Sequence, residues 1–287
     1  MGTTCREIRA KRSFSATCAR WLEDWFGTGK SHKEDAMPEP PLVAAKPFLM
    51  EQDYAAYTAE QHAVWAELVR LRWAQIEQWA CREYLDGYSI IGLKEDRCPH
   101  LREIADRLEP RSGWRTQAVT GFMPHEAFFE MLAARRFPTT TWLRDRTSLD
   151  YTPEPDMFHD VFGHVPMHAH QVFGDFVQYY AAVCARVDDH DILERLGRLY
   201  WFTVEFGLIR QDGKVKFYGS GVVSSHSEGN SVIEGKCRVR NFDLEEVLNT
   251  PVKVDELQKV LFAIESFDQI YDAMHRAERK LLGNKVA

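Results

Sequence analysis

The chain has 287 residues, 45% of them hydrophobic, with eight tryptophans and a formal net charge of −7. That size and apolar content suffice for a large core, and the acidic balance, with no long Lys/Arg block, argues against a nucleic-acid-binding surface. No run approaches the roughly 18 apolar residues of a membrane span, and no apolar segment follows the charged start as a secretion signal requires. Cys5, Cys18, Cys81, Cys98, Cys184 and Cys237 are scattered without C-x-x-C pairs, so reduced thiols and a cytoplasmic location are expected.

Residues 1–46 mix Ser, Thr, Gly and charges with Met37-Pro38-Glu39-Pro40-Pro41, the composition of a flexible tail, with a short amphipathic piece from Trp21 to Phe26. Residues 47–287 are expected to form one folded domain. From Thr58 to Tyr84, Trp65, Leu68, Val69, Ile76 and Trp79 recur at helical spacing, with Arg72 interrupting the stripe and Asp86-Gly87 as the stop signal. Leu101, Ile104 and Leu108 mark a second helix, ended at Glu109-Pro110. Pro124 to Arg135 predicts a third, with proline in its first turn and Phe128, Met131 and Leu132 facing inward.

Pro166 to Arg186 reads as mostly helical. Ile192, Leu196, Leu199, Phe202 and Phe206 continue the helical step and place Glu205 in the last turns of a helix that Gly207 ends. Asp212-Gly213 between alternating residues predicts a hairpin over Leu208 to Tyr218, and a final helix is expected from Val254 to Leu282. The fold class is therefore mainly α (α+β), a single helical domain with a few short strands.

The run Phe158-His159-Asp160-Val161-Phe162-Gly163-His164-Val165-Pro166, together with Trp201-Phe202-Thr203-Val204-Glu205-Phe206-Gly207, sets two imidazoles and a carboxylate in apolar company. An unpaired carboxylate there would be costly to bury, and a cation is the natural partner. On an ideal α-helix His159 and His164 lie about 140° apart, so a regular helix cannot present both to one ion. Gly163, Pro166 and the upstream Pro153 and Pro155 point to a helix end or irregular turn that lets the rings converge. Three protein ligands leave positions open for chemistry. They admit either zinc-activated water or the two-histidine, one-carboxylate triad of non-haem Fe(II). Spacing alone does not choose, although the H-E-x-x-H pattern of many zinc hydrolases is absent.

Four ordered blocks carry a resemblance: Tyr151-Thr152-Pro153-Glu154-Pro155-Asp156; His159-Asp160 through Gly163-His164-Val165-Pro166; Tyr200 to Gly207; and Gly219-Ser220-Gly221 through Ser224-Ser225. Together they closely resemble the pterin-dependent aromatic amino acid hydroxylases, in particular the short bacterial phenylalanine 4-hydroxylases. The resemblance implies that family's catalytic-domain fold, with Fe(II) held by His159, His164 and Glu205, and tetrahydropterin and O2 as cosubstrates. It places Arg144 at the substrate carboxylate, with Thr152 and Ser224 adding hydrogen bonds, Ser224 also supporting a ligand imidazole, and Trp201 and Phe206 walling the substrate ring. Gly121, Met123 and Phe128 fall on the pterin-binding segment, Phe128 as the stacking ring, while Asp160 and Tyr200 approach the pterin. Pro138 stands where many animal members have histidine. Glu154 and Glu228 are candidates for polar support.

Within the resemblance, Trp201 and Val254 point to L-phenylalanine, with tyrosine or tryptophan hydroxylation as alternatives; outside it the rivals are a zinc hydrolase using the same triad and a non-enzymatic small-molecule binding protein with a structural histidine pair. A monomer is expected, without nucleic-acid or membrane partners, and with a functional link to a pterin carbinolamine dehydratase.

Overall fold

A computed structural model of the chain describes residues 42–149, 152, 154–253 and 256–283. Most of the 1–46 tail, including Trp21 to Phe26, and also Cys5, Cys18, Tyr151, Pro153 and Val254, lie outside the described residues. Helix α1 (Ala59–Trp79) opens on a capping box: the Gln61 N–H donates to the Thr58 hydroxyl at 3.2 Å and the Thr58 N–H donates to the Gln61 side chain at 2.9 Å, so two orphan donors are satisfied. It buries Val64, Trp65, Leu68, Val69, Arg72 and Ile76.

The single helix expected as far as Tyr84 is two. Ala80 and Cys81 are extended, with ψ of 155° and 161°, because the Cys81 N–H donates to the Phe217 carbonyl at 2.8 Å. Helix α2 (Arg82–Ile91) then starts afresh. Asp86-Gly87 lies inside α2 and is no stop: a Cβ at Gly87 would come within 1.9 Å of the Pro166 carbonyl oxygen, so the glycine lets α2 pack on the segment carrying Pro166. The stop is Gly92, at φ 63°, where a left-handed residue closes the helix.

Helix α3 (Leu101–Ser112) runs through Pro110 and ends at Gly113, φ 76°. In the last turn the proline removes one ladder bond without breaking the helix. Strands β1 (Arg115–Val119) and β2 (Arg136–Thr140) form a parallel pair joined by α4 (His125–Ala133). Neither strand was expected. Five residues carry too little period to register, and Pro138 in β2 is tolerated because a two-stranded sheet has only edges.

Helices α5 (Gln171–Cys184) and α6 (His190–Tyr200) follow. The expected hairpin is β3 (Leu208–Gln211) with β4 (Lys214–Phe217). Its turn holds Asp212 and Gly213 at φ 52° and 74°, the left-handed pair that matches strand twist. Short helices α7 (Ser220–Ser224) and α8 (His226–Ile233) lead to β5 (Arg238–Asn241), α9 (Leu244–Asn249), β6 (Val260–Ile264) and α10 (Phe267–Leu282). The larger sheet runs β4-β3-β6-β5, with β6 parallel to both neighbours.

The final helix expected from Val254 is thus a strand followed by a helix. Val260-Leu-Phe-Ala-Ile264 is a short apolar run, four of whose five residues are buried, and periodicity cannot separate such a strand from a buried helix.

One large apolar cluster joins these layers, with Trp65, Phe158, Phe162 and Phe202 at most 1% exposed. Cys81, Cys98, Cys184 and Cys237 are buried free thiols. Among the described residues no helix is long and apolar enough to cross a membrane.

Candidate metal centre

The histidines converge on a π-turn, an irregularity inside a helix and not a helix end. Phe158–His164 is one π-turn and Trp201–Glu205 another; in the second, the Phe206 N–H reaches five residues back to the Trp201 carbonyl at 2.8 Å. Bonding from i to i+5 brings the fifth residue roughly one turn on, so His159 and His164 share a face without a break in the helix. Pro166 comes after the π-turn, in the 3-10 segment Val165–Ala169.

The two imidazole Nε2 atoms are 3.2 Å apart. Glu205 Oε1 lies 3.1 Å from His164 Nε2, and Oε2 lies 3.6 Å from His159 Nε2. Donors about 2.1 Å from a shared ion sit about 3.0 Å apart in an octahedron and about 3.4 Å apart in a tetrahedron. The three side chains therefore fit a divalent cation, and without one their lone pairs would crowd together. The His159 side chain is 20% exposed against 4% for His164 and 11% for Glu205, so the approach to this point lies on the His159 side. A second trio, His190, Asp191 and Glu194, is an exposed group on α6 of the kind that is ordinarily solvated.

The electrostatics keep Glu205 ionised and His159 neutral. Burial alone would raise the Glu205 carboxyl, but His164, His159 and the Ser220 hydroxyl together hold it well below the usual carboxylate range. Burial pulls His159 down to about 4 against the opposing charge of Glu205, which leaves a neutral ring with a free lone pair. His159 Nδ1 faces Ser224 Oγ at 3.0 Å, so a cation held by Nε2 would leave the proton on Nδ1, pointed at the serine oxygen. Ser220 donates to Glu205 Oε2 at 2.6 Å.

Both serines come from α7, and Gly163 lets α7 approach. A Cβ there would stand 3.1 Å from Ser220 Cβ and the Ser220 carbonyl oxygen. Ser224 thus stands beside His159 Nδ1, while Ser220 was missed: it lies in the Gly219-Ser220-Gly221 block, but nothing in the sequence aims it at Glu205.

Arg144 is 8% exposed and Asp156 fully buried. Arg144 Nε and Nη2 donate to the two Asp156 carboxylate oxygens at 2.8 Å each, and the Arg144 and His159 N–H groups donate to the same carboxylate at 3.0 and 3.1 Å. One edge of the guanidinium fork is occupied by Asp156; the Nη1 side, 3.3 Å from the Leu149 carbonyl, faces elsewhere. Asp156 was also missed, although it stands three residues before His159, the offset at which a carboxylate reaches forward to a backbone N–H.

The remaining candidates fall into groups. Trp201 and Phe206 meet at 4.9 Å between centroids, and the Trp201 indole N–H donates to Gln258 Oε1 at 3.3 Å. Phe128 sets an edge against Tyr200 at 6.1 Å. Tyr200 is 2% exposed, and its hydroxyl is pushed up by burial and by the charges of Glu205 and Asp160. Asp160 accepts from the Thr140 N–H and hydroxyl at 2.8 Å each, and burial raises it to about 7. Gly121 adopts φ 135°, and Met123 packs with Ala45, Val119, Ala127 and Met131.

The Thr152 hydroxyl donates to the Glu154 carbonyl at 3.1 Å, a local turn contact, and Glu154 itself is exposed. Glu228 is buried, pushed up to about 7 by burial, and accepts from the Gln258 N–H at 3.2 Å, so its support reaches Trp201 through Gln258.

The family model described as "Biopterin-dependent aromatic amino acid hydroxylase" matches residues 50–283. A phenylalanine-4-hydroxylase of Ralstonia nicotianae is 41% identical over 227 residues, covering 79% of this chain and 72% of that protein. The crystal structure of Chromobacterium violaceum phenylalanine hydroxylase with bound Fe(III) superposes with a TM-score of 0.79 at 39% identity, covering 83% of this chain and 86% of that one. Its iron- and phenylalanine-bound form gives 0.77 at 38%, covering 83% and 87%. The two-histidine, one-glutamate centre on paired π-turns thus sits in a chain that belongs to the biopterin-dependent aromatic amino acid hydroxylases.

Proposed function

We propose that this chain is a phenylalanine 4-monooxygenase that converts L-phenylalanine to L-tyrosine with O2 and tetrahydropterin. The observation that carries the reading is the convergence of His159, His164 and Glu205 within 3.6 Å of one another, in a chain whose relatives at about 40% identity carry that activity's name. Fe(II) and the reduced pterin, when bound, supply the activated oxygen that enters the ring. The protein's own part would be to hold such an ion by His159, His164 and Glu205 and to leave its other positions open.

Ser224 fixes the tautomer and plane of His159, and Ser220 restrains one Glu205 oxygen. Arg144, held by Asp156, offers its remaining N–H groups to the substrate carboxylate. Trp201 and Phe206 flank the substrate ring, and Phe128, with Gly121, Met123, Tyr200 and Asp160, forms the pterin side. Thr152 completes the substrate pocket. The enzyme acts as a cytoplasmic monomer whose folded domain spans residues 47–287 behind a 1–46 tail, and a dehydratase that recycles pterin consumes its second product.

Metal-depleted protein is incubated with phenylalanine, and Fe(II), tetrahydropterin and oxygen are added back singly and together. Tyrosine forms only with all three. Tyrosine without pterin, turnover supported by zinc, or none with the full set overturns the reading.

A further inference from the structure

Arg72, in the middle of α1, is 2% exposed and takes no part in the contacts described above. A guanidinium stays charged when buried, so it needs acceptors. Burial does draw it down to about 10, opposed only weakly by Tyr84 and, among the described residues, by no carboxylate. Nε instead donates to the Val223 carbonyl at 2.8 Å and Nη2 to the Val222 carbonyl at 3.2 Å. Nη1 reaches the Gln75 side chain and stands 3.5 Å from His226 Nδ1; Gln75 in turn donates to Asn230.

Val222 and Val223 lie in the last turn of α7, where carbonyls lack intrahelical partners. The same five-residue helix carries Ser220, 2.6 Å from Glu205 Oε2, and Ser224, 3.0 Å from His159 Nδ1. A helix this short has no stability of its own, so its place is set by what grips it. Gly229 of α8 leaves room for the grip: a Cβ there would stand 3.2 Å from Arg72 Nη2 and 3.0 Å from Gln75 Oε1.

We propose that Arg72 is a positioning residue of the metal centre, a clamp from α1 on the end of α7 that holds Ser220 and Ser224 where they orient Glu205 and His159. The inference rests on the metal reading of the triad. It requires that loss of the guanidinium be felt at the ion, not only in stability.

The test uses the full chain, metal-depleted and titrated with Fe(II) against a chelator, and with Co(II) as a spectroscopic probe whose visible bands report ligand geometry. Arg72→Met is expected to weaken Fe(II) binding about 10- to 100-fold, the range for loss of support to a ligand, and to shift the Co(II) bands. Arg72→Lys, with donors for a carbonyl but no fork, falls between. Added to Ser220→Ala/Ser224→Ala, Arg72→Met causes little further weakening, because all three changes act on one path. Wild-type affinity and bands in Arg72→Met, or full additivity with the serine changes, overturn the proposal.

Should Arg72→Met not fold, Arg72→Lys and Gly229→Ala are decisive, and unchanged metal affinity and bands in both overturn it equally. Wild-type protein that takes up neither metal sinks the reading of the triad and the inference with it, whereas normal wild-type uptake with unaltered variants sinks the inference alone.

Discussion

Replacing Asp156 by asparagine tests how the site is built more sharply than removing a ligand. Asp156 is fully buried and accepts four hydrogen bonds, from Arg144 Nε, Nη2 and N–H and from the His159 N–H. Asparagine keeps the volume but turns one acceptor into an N–H2 donor facing a donor, and leaves the Arg144 charge without its partner. Breaking a buried pair in this way costs about 3–5 kcal/mol. At about 2–4 °C per kcal/mol for a domain of this size, the melting temperature of the metal-depleted protein should fall by about 6–20 °C. On the proposed role of Arg144, the freed guanidinium would no longer present a fixed edge to the substrate carboxylate. At about 1.5–3 kcal/mol for a charged hydrogen bond, KM for phenylalanine should rise about tenfold or more. Thermal unfolding followed by circular dichroism, and tyrosine formation as a function of phenylalanine concentration, check both arms. A variant melting within about 2 °C of wild type with an unchanged KM would refute the argument that Asp156 holds Arg144.

Three further outcomes follow from the same geometry. Ser224→Ala removes the partner of His159 Nδ1 at 3.0 Å and should weaken Fe(II) binding about 10- to 100-fold in a chelator competition, with a much smaller change in melting temperature; equal affinity would show that Ser224 does not support the ring. Gly87→Ala pushes a methyl to 1.9 Å from the Pro166 carbonyl oxygen and should cost about 1–3 kcal/mol in urea unfolding through overpacking; an unchanged midpoint would contradict the close approach of α2. His168 is fully buried, with Nδ1 3.1 Å from the His164 carbonyl, and burial lowers it to about 3. Because the unfolded chain titrates near 6.5, it binds a proton there that the folded chain refuses, so this residue's contribution to stability rises with pH between about 3 and 6.5. The stability difference between wild type and His168→Asn, measured by urea unfolding of metal-depleted protein, should therefore shrink by about 1.4 kcal/mol per pH unit on going down from pH 6.5; a pH-independent difference would refute the assignment.

The residue types of the centre were legible without coordinates, because a carboxylate between Val204 and Phe206 and two histidines among phenylalanines have few stable explanations other than a cation. The long helices and the Asp212-Gly213 hairpin were legible too, since apolar period and turn chemistry are local properties. Asp86-Gly87 and Pro110 misled for the opposite reason. A glycine or proline signals a stop only while its neighbours are unknown, and at Gly87 the neighbour is Pro166, across the fold.

Tertiary structure alone decided how His159 and His164 meet: a π-turn costs helix geometry and persists because packing around Phe158, Phe162 and Gly163 holds it. It also brought Ser220 to Glu205, Asp156 to Arg144 and the His159 N–H, Gln258 to Trp201, and Arg72 to the end of the short helix that carries Ser220 and Ser224. Each reaches its partner from a distant segment or through a side-chain direction that sequence spacing does not encode. Residue types whose burial needs a cation limit the chemistry this chain can support; packing sets the geometry around His159, His164 and Glu205, because those contacts exist only after elements far apart in the chain have met.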